Sequence, residues 1–247
     1  MASSSGKART FWQKLWRITK KVFLWLFIAQ FVYIILLRWV NPPITMTQLV
    51  SWVSGHGLKR DYVGRNSVSP NARLAVIASE DQLFPDHEGF DWKSIKKAMA
   101  YNKRKPGRIH KVRGASTISQ QVAKNVFLWQ GGGWFRKGLE VYFTFMIEKL
   151  WSKKRIMEVY LNVAEMGDGV FGIEAAAQSF FNKPAKNLTR QEAALIAACL
   201  PSPKRFNAKR PIPYISGRAR FIMQQMSNLE TDPDVQRVIG TGGTGKK

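Results

Sequence analysis

The sequence predicts a mainly α-helical domain behind one N-terminal transmembrane helix. Val22 to Leu37 form an apolar run interrupted only by Gln30. Beyond it strand-like alternation is nearly absent, and the segments after Pro70 open on capping residues and carry helical periodicity. A lone Cys199 excludes a disulfide framework and any Cys-rich metal site.

Residues 1–21 read as a basic cytoplasmic tail and 22–40 as the anchor. A spanning helix needs about 20 mostly apolar residues, and Arg38 can reach the interface while its stem stays among apolar groups. A cleaved signal peptide is the alternative, but it asks for a shorter apolar core and a small-residue cleavage site, where this chain has Arg38-Trp39-Val40-Asn41-Pro42-Pro43. Lys7, Arg9, Lys14, Arg17, Lys20 and Lys21 precede the run, and Trp12, Trp16 and Trp39 flank it. This pattern places the N-terminus in the cytoplasm and the rest of the chain outside.

After the Asn41-Pro42-Pro43 stop, residues 41–69 read as a membrane-proximal linker without firm elements. Residues 70–230 form the domain, and 231–247 a flexible tail. An apolar helix follows Pro70. Asp91 caps Trp92 to Lys103, Ser116 caps a segment running to about Leu128, and Ser152 precedes a helix over Lys153 to Met166. Thr189-Arg190-Gln191-Glu192 is a capping box leading into an alanine-rich run. Trp134 to Trp151 is apolar almost all the way round, which fits a buried central helix or a surface that dips into a bilayer. Its Arg136, Lys137 and Glu140 need wet or paired surroundings. Gly131 to Gly133 mark a mobile loop.

With 39 Lys+Arg against 16 Asp+Glu, the net charge is +23. Several chemical motifs fail on inspection. The terminal Gly240-to-Lys247 stretch approaches a phosphate-binding loop but has Lys247 where Ser or Thr belongs, and no helix can follow. Ser94-Ile95-Lys96-Lys97 has no accompanying Lys-Thr-Gly. His56, His87 and His110 lack metal-site spacing.

Other clusters are more informative. Five acids fall between Glu80 and Asp91, at a helix C-terminus where the macrodipole disfavours them. A carboxylate held partly out of water beside Phe84 gains proton affinity, which suits a general base. From Arg113 to Asn125, Gln120 with Lys124 and Gln121 with Asn125 form adjacent polar stripes near a helix N-terminus. That surface can serve as a wall for sugars and phosphate oxygens. Glu140 lies one turn after Arg136 and Lys137, which as a surface ion pair is worth only about 0.3–0.5 kcal/mol. Lys153 to Asn162 reads as an amphipathic helix.

Five segments in order resemble the motifs of the peptidoglycan glycosyltransferase family: EDQLFPDHEGFD from Glu80, GASTISQQVAKN from Gly114, RKGLE from Arg136, KKRIMEVYLN from Lys153 and AAAQSFFNK from Ala175. The resemblance implies an all-α, lysozyme-like glycosyltransferase domain that polymerises lipid II with inversion at C1 of the lipid-linked donor. It makes Glu80 the base and puts Glu140 beside the donor pyrophosphate. Lys124, Arg136 and Lys137 would stabilise the leaving group. Ser116, Thr117, Gln120, Gln121 and Asn125, with Asp81 and Phe84, would line the substrate cleft. Glu158, Tyr160 and Asn162 would brace the fold.

No cofactor is required by the resemblance and no metal ligands are firm, although Mg or Mn near Glu140 is an option. The implied partners are lipid II, the growing lipid-linked glycan, the membrane and other cell-wall or division proteins, not nucleic acid. The implied location is a bacterial inner membrane, with the domain in the periplasm. In one departure, Gly131 to Gly133 stand where family members often carry a basic residue. The rival readings are a lytic glycan-cleaving enzyme and a non-enzymatic module for anionic lipid.

Overall fold

The computed structural model describes residues 4–104 and 114–240, with backbone alone for 4–11 and 104. By internal contacts the chain divides into two units, residues 1–40 and 41–247.

The first unit is helix α1, Ser4–Leu36. Its stretch Trp12–Leu36 is long and apolar enough to cross a membrane. At 1.5 Å per residue, 25 residues reach about 37 Å, more than the roughly 30 Å of a hydrocarbon core.

The second unit is mainly helical. Residues 41–69 hold more structure than their composition suggests: α2, Met46–Val53, is closed by a capping box between Thr45 and Gln48. A two-residue strand β1, Lys59–Arg60, follows, then a 3-10 turn over Arg65–Ser67. Helix α3, Pro70–Glu80, starts at Ser69 and buries everything from Ala72 to Ala78. Helix α4, Trp92–Arg104, opens where the Asp91 carboxylate accepts the Ser94 N–H at 2.9 Å. Helix α5 covers Ile118–Phe127, α6 Trp134–Leu150 and α7 Lys153–Val163.

Strands β2, Glu165–Gly167, and β3, Val170–Phe171, then take over, so the helix expected to reach Met166 stops three residues early. The sheet order is β1-β3-β2, with β1 parallel to β3 and β2 antiparallel to it. Helices α8, Ile173–Phe181, α9, Arg190–Cys199, and α10, Pro213–Leu229, complete the packing. The Thr189–Glu192 capping box is present, and Cys199 is buried.

The expected flexible tail is instead structured over Pro233–Ile239, helix α11. Asp232 caps its first turn, Pro233 sits at a position with no N–H to lose, and Val235, Val238 and Ile239 are buried. The glycine-rich end from residue 241, like Arg113 and His110, lies outside the described residues.

Two bundles of contacts shape the site. Helix α3 packs against α9 and α10, while α5 packs against α6 and α7. The two meet where the end of α3 faces the start of α5.

Candidate active site

The N-cap of α5 is Thr117 rather than Ser116, because Gln120, three residues on, returns its side-chain oxygen to the Thr117 N–H at 3.0 Å. The Thr117 hydroxyl also donates to the Gly89 carbonyl at 2.7 Å. Thr117 and Gln120 thus spend their side chains on the backbone, and Ser116 remains exposed beside them. Gly89 has φ +87°, and a Cβ there would fall 2.8 Å from a Thr144 methyl, so this approach of the loop to α5 and α6 needs glycine.

Asp81 is buried and holds two elements together. Both its oxygens lie 3.0 Å from His87 Nε2, and one also accepts the Ile118 N–H at 3.0 Å, at the first turn of α5. His87 Nδ1 in turn accepts the Gly89 N–H at 3.1 Å, which assigns the ring proton of neutral His87 to Nε2. Phe84 is fully buried beneath the Lys153 ammonium, 4.7 Å from its ring centre. Its ring therefore belongs to the core, and the cleft wall expected there is absent in this conformation.

Glu80 ends α3 next to Asp81. Gln121 Nε2 donates to its Oε2 at 2.8 Å, and the Tyr160 hydroxyl reaches Gln121 Oε1 at 3.5 Å. Burial raises the proton affinity of Glu80; Gln121 and the cations Arg218 and Lys124 oppose the rise, and Asp81 adds to it. Desolvation thus outweighs the surrounding charges in setting the proton affinity of Glu80.

Glu140 is 3% exposed and accepts from Arg136 at 3.0 Å and from Lys137, so the expected surface pair is buried on its acidic side. Lys124 links this group to Glu80. Burial lowers its pKa, Glu140 raises it, Arg136 and Lys137 lower it again, and Glu80 raises it. Asn125, the next residue in the chain, is buried.

Both carboxylate oxygens of Glu140 are engaged by cations, so a divalent ion bound there would have to displace Arg136 or Lys137 from one of them. Among the described residues no three His, Cys, Asp or Glu side chains group as metal ligands.

Helix α6 buries only Glu140, Thr144 and Ile147, which corrects the reading of a central core helix. Trp134 and Phe135 are 93% and 75% exposed, and Val141 and Phe145 are exposed further along. Asn162 braces the fold as expected, exchanging hydrogen bonds with both backbone groups of Val63 at 2.9 and 3.0 Å.

Two features escaped the sequence. Glu148 on α6 joins Ser119 on α5 to Lys153 on α7, and nothing in the order of residues marks that meeting. Arg218 on α10 acts on Glu80 from 138 positions away (218 − 80), one cation among 39 Lys+Arg. Its Nε is buried without a hydrogen-bond partner.

A family model described as Transglycosylase matches residues 46–227. Curated relatives named biosynthetic peptidoglycan transglycosylase, from Escherichia coli strain ATCC 8739 and from Shigella boydii serotype 4, are each 54% identical over 193 residues. The matches cover 77% of this chain and 78% of each relative. With the helical domain and the ordered motifs, these matches show that the chain belongs to the transglycosylase family, the peptidoglycan glycosyltransferases.

Proposed function

We propose that this enzyme polymerises lipid II, the undecaprenyl-pyrophosphate-linked disaccharide-pentapeptide, into β-1,4-linked glycan. Glu80 takes the proton of the acceptor sugar's 4-hydroxyl as that oxygen attacks C1 of the lipid-linked chain. The bond from C1 to the pyrophosphate oxygen breaks with its electron pair, and undecaprenyl pyrophosphate departs. Attack from the face opposite the leaving group inverts C1.

One observation carries the reading: half-buried Lys124 stands in the field of both Glu80 and the Glu140 group. A base that needs an acceptor hydroxyl and cations that need a leaving pyrophosphate thus share one site. Lys124, Arg136 and Lys137 meet charge that is greatest in the transition state, so they lower the barrier as well as bind. Glu140 holds Arg136 and Lys137 in place from a buried position. Gln121 orients Glu80, and exposed Ser116 is open to the sugar and phosphate groups. Asp81 acts through the loop and α5.

The exposed apolar side of α6 suits a polyprenyl substrate, and α1 suits a single-pass anchor. The basic N-terminus orients that anchor with the domain in the periplasm, at the inner membrane. Other cell-wall or division proteins would meet the domain there.

Incubation of the full chain with lipid II is the test. Lipid-linked glycan with release of undecaprenyl pyrophosphate is expected. Cleavage of preformed glycan without polymerisation would make it a lytic enzyme.

A further inference from the structure

A second polar site lies away from these groups, where the 3-10 turn, the start of α3 and the outer face of α7 meet. Arg65, Arg73, Lys154 and Glu158 are among the residues lining a cavity of about 10 Å³, room for one water-sized centre. Arg73 is only 6% exposed. It sits seven residues before Glu80 on α3, about 10 Å along the axis.

Its Nη1 donates to the Arg65 carbonyl at 2.7 Å, and its Nε is buried with no hydrogen-bond partner. Among the described residues no carboxylate lies within ion-pair distance of Arg73, Arg65 or Lys154. Glu158, the acid at the cavity, is paired with Arg155 at 2.7 Å. Burial and the neighbouring Arg65 push the Arg73 guanidinium down to about 10.

The crowding of like charge is built in. Arg65 Nη2 donates to the Val238 carbonyl at 3.3 Å, and Gly240 makes room for it, since a Cβ there would stand 2.3 Å from that nitrogen. Buried charges are normally paired, and an unpaired one beside a like charge is costly.

We infer that this cavity is an anion site, in which Arg73, with Arg65 and Lys154 around it, takes an oxygen of a phosphate group. The source is inorganic phosphate or the phosphodiester headgroup of an anionic lipid. Arginine's planar donor fork matches phosphate oxygens, and the unsatisfied Nε supplies a waiting donor. The site does not depend on the proposed catalytic chemistry.

The experiment is thermal unfolding of the full chain in non-ionic detergent at fixed ionic strength, with inorganic phosphate or glycerophosphoglycerol added. Either ligand at about a hundredfold excess over its Kd should raise the wild-type Tm by roughly 5 °C or more. A response to phosphate alone identifies the free anion as the source, and one to the phosphodiester alone the headgroup. Arg73→Met should abolish the rise, while its own Tm without ligand equals or exceeds the wild type's, because an unpaired buried charge is gone. Lys124→Ala should keep the rise. Absence of any wild-type response, or a response lost in Lys124→Ala and kept in Arg73→Met, overturns the site. If Arg73→Met does not fold, Lys154→Gln decides. Phosphate affinity weaker by roughly tenfold supports the site, and unchanged affinity overturns it.

Discussion

Replacing Gln121 by Met tests how Glu80 is kept ionised. Burial pushes the Glu80 proton affinity up, and the strongest opposing influence is the 2.8 Å hydrogen bond from Gln121 Nε2. Methionine keeps the bulk and removes the donor. A hydrogen bond to a charged group contributes about 1.5–3 kcal/mol, so its loss lowers the ionised fraction of the base by roughly tenfold to a hundredfold below its pKa. The sign follows from which form the bond favours: without it the carboxylate is less stable, its pKa rises further, and the acidic limb of kcat/KM moves to higher pH.

In the proposed mechanism Lys124 meets the leaving group as a cation, and burial lowers its pKa, so the alkaline limb is expected to follow Lys124. Gln121→Met should leave that side in place. The profile therefore narrows from the acid side only, and activity returns as pH rises. Initial rates of lipid II polymerisation across roughly pH 5 to 9 would resolve this. Tyr160→Phe is the control, because that hydroxyl reaches Gln121 at 3.5 Å and has no hydrogen bond to Glu80. Its acidic limb should match the wild type's. A loss in Gln121→Met that is uniform across pH, or a wild-type profile, would refute the role assigned to this bond.

Glu80→Gln should reduce polymerisation by at least about a hundredfold. Because the folded state raises the pKa of Glu80, ionising it costs stability as pH rises from the ordinary carboxylate range through the folded value. The variant should therefore match or exceed the wild-type Tm at neutral pH and lose that advantage in acid; a lower neutral Tm would contradict the desolvation argument. Neutralising Lys124, Arg136 or Lys137 should lower kcat as well as raise KM, by roughly tenfold or more in kcat/KM, whereas an unchanged kcat would mean that these cations only attract anionic lipid. Glu140→Gln leaves largely buried Arg136 without its charged acceptor and should cost about 3 kcal/mol, read as a lower denaturation midpoint; wild-type stability would return the pair to the surface class. A reporter enzyme fused after Lys247 should work only if it is one that functions in the periplasm, and cytoplasmic activity would reverse the orientation.

Local chemistry makes the helix starts legible in the sequence. Asp91, Ser152 and the Thr189–Glu192 box mark helix starts because a cap and its N–H partners lie within three residues. The sequence expectation of Ser116 as the cap lies one position before the observed Thr117, although Gln120 stands three residues after Thr117, the spacing of a capping box. The acids from Glu80 were conspicuous for the same reason, since clustered charge at a helix C-terminus is a local anomaly.

The sequence by itself determined the apolar helix near the N-terminus, the helical class of the domain, and the residue types that could supply a base and a set of cations. Only the tertiary structure decided which of those residues share an environment. The pairing of Lys59 with Val170 draws the supposed linker into the domain. The Asp81 carboxylate ties its loop to Ile118, and the packing of α3 on α10 brings Arg218 into the field of Glu80. The same packing buries Glu140 while leaving Trp134 and Phe135 in the open. Periodicity and capping act over three or four residues and survive in one dimension. Desolvation and Coulomb interactions depend on neighbours brought from across the chain, and in a sequence with 39 basic residues no local pattern singles out the ones that matter.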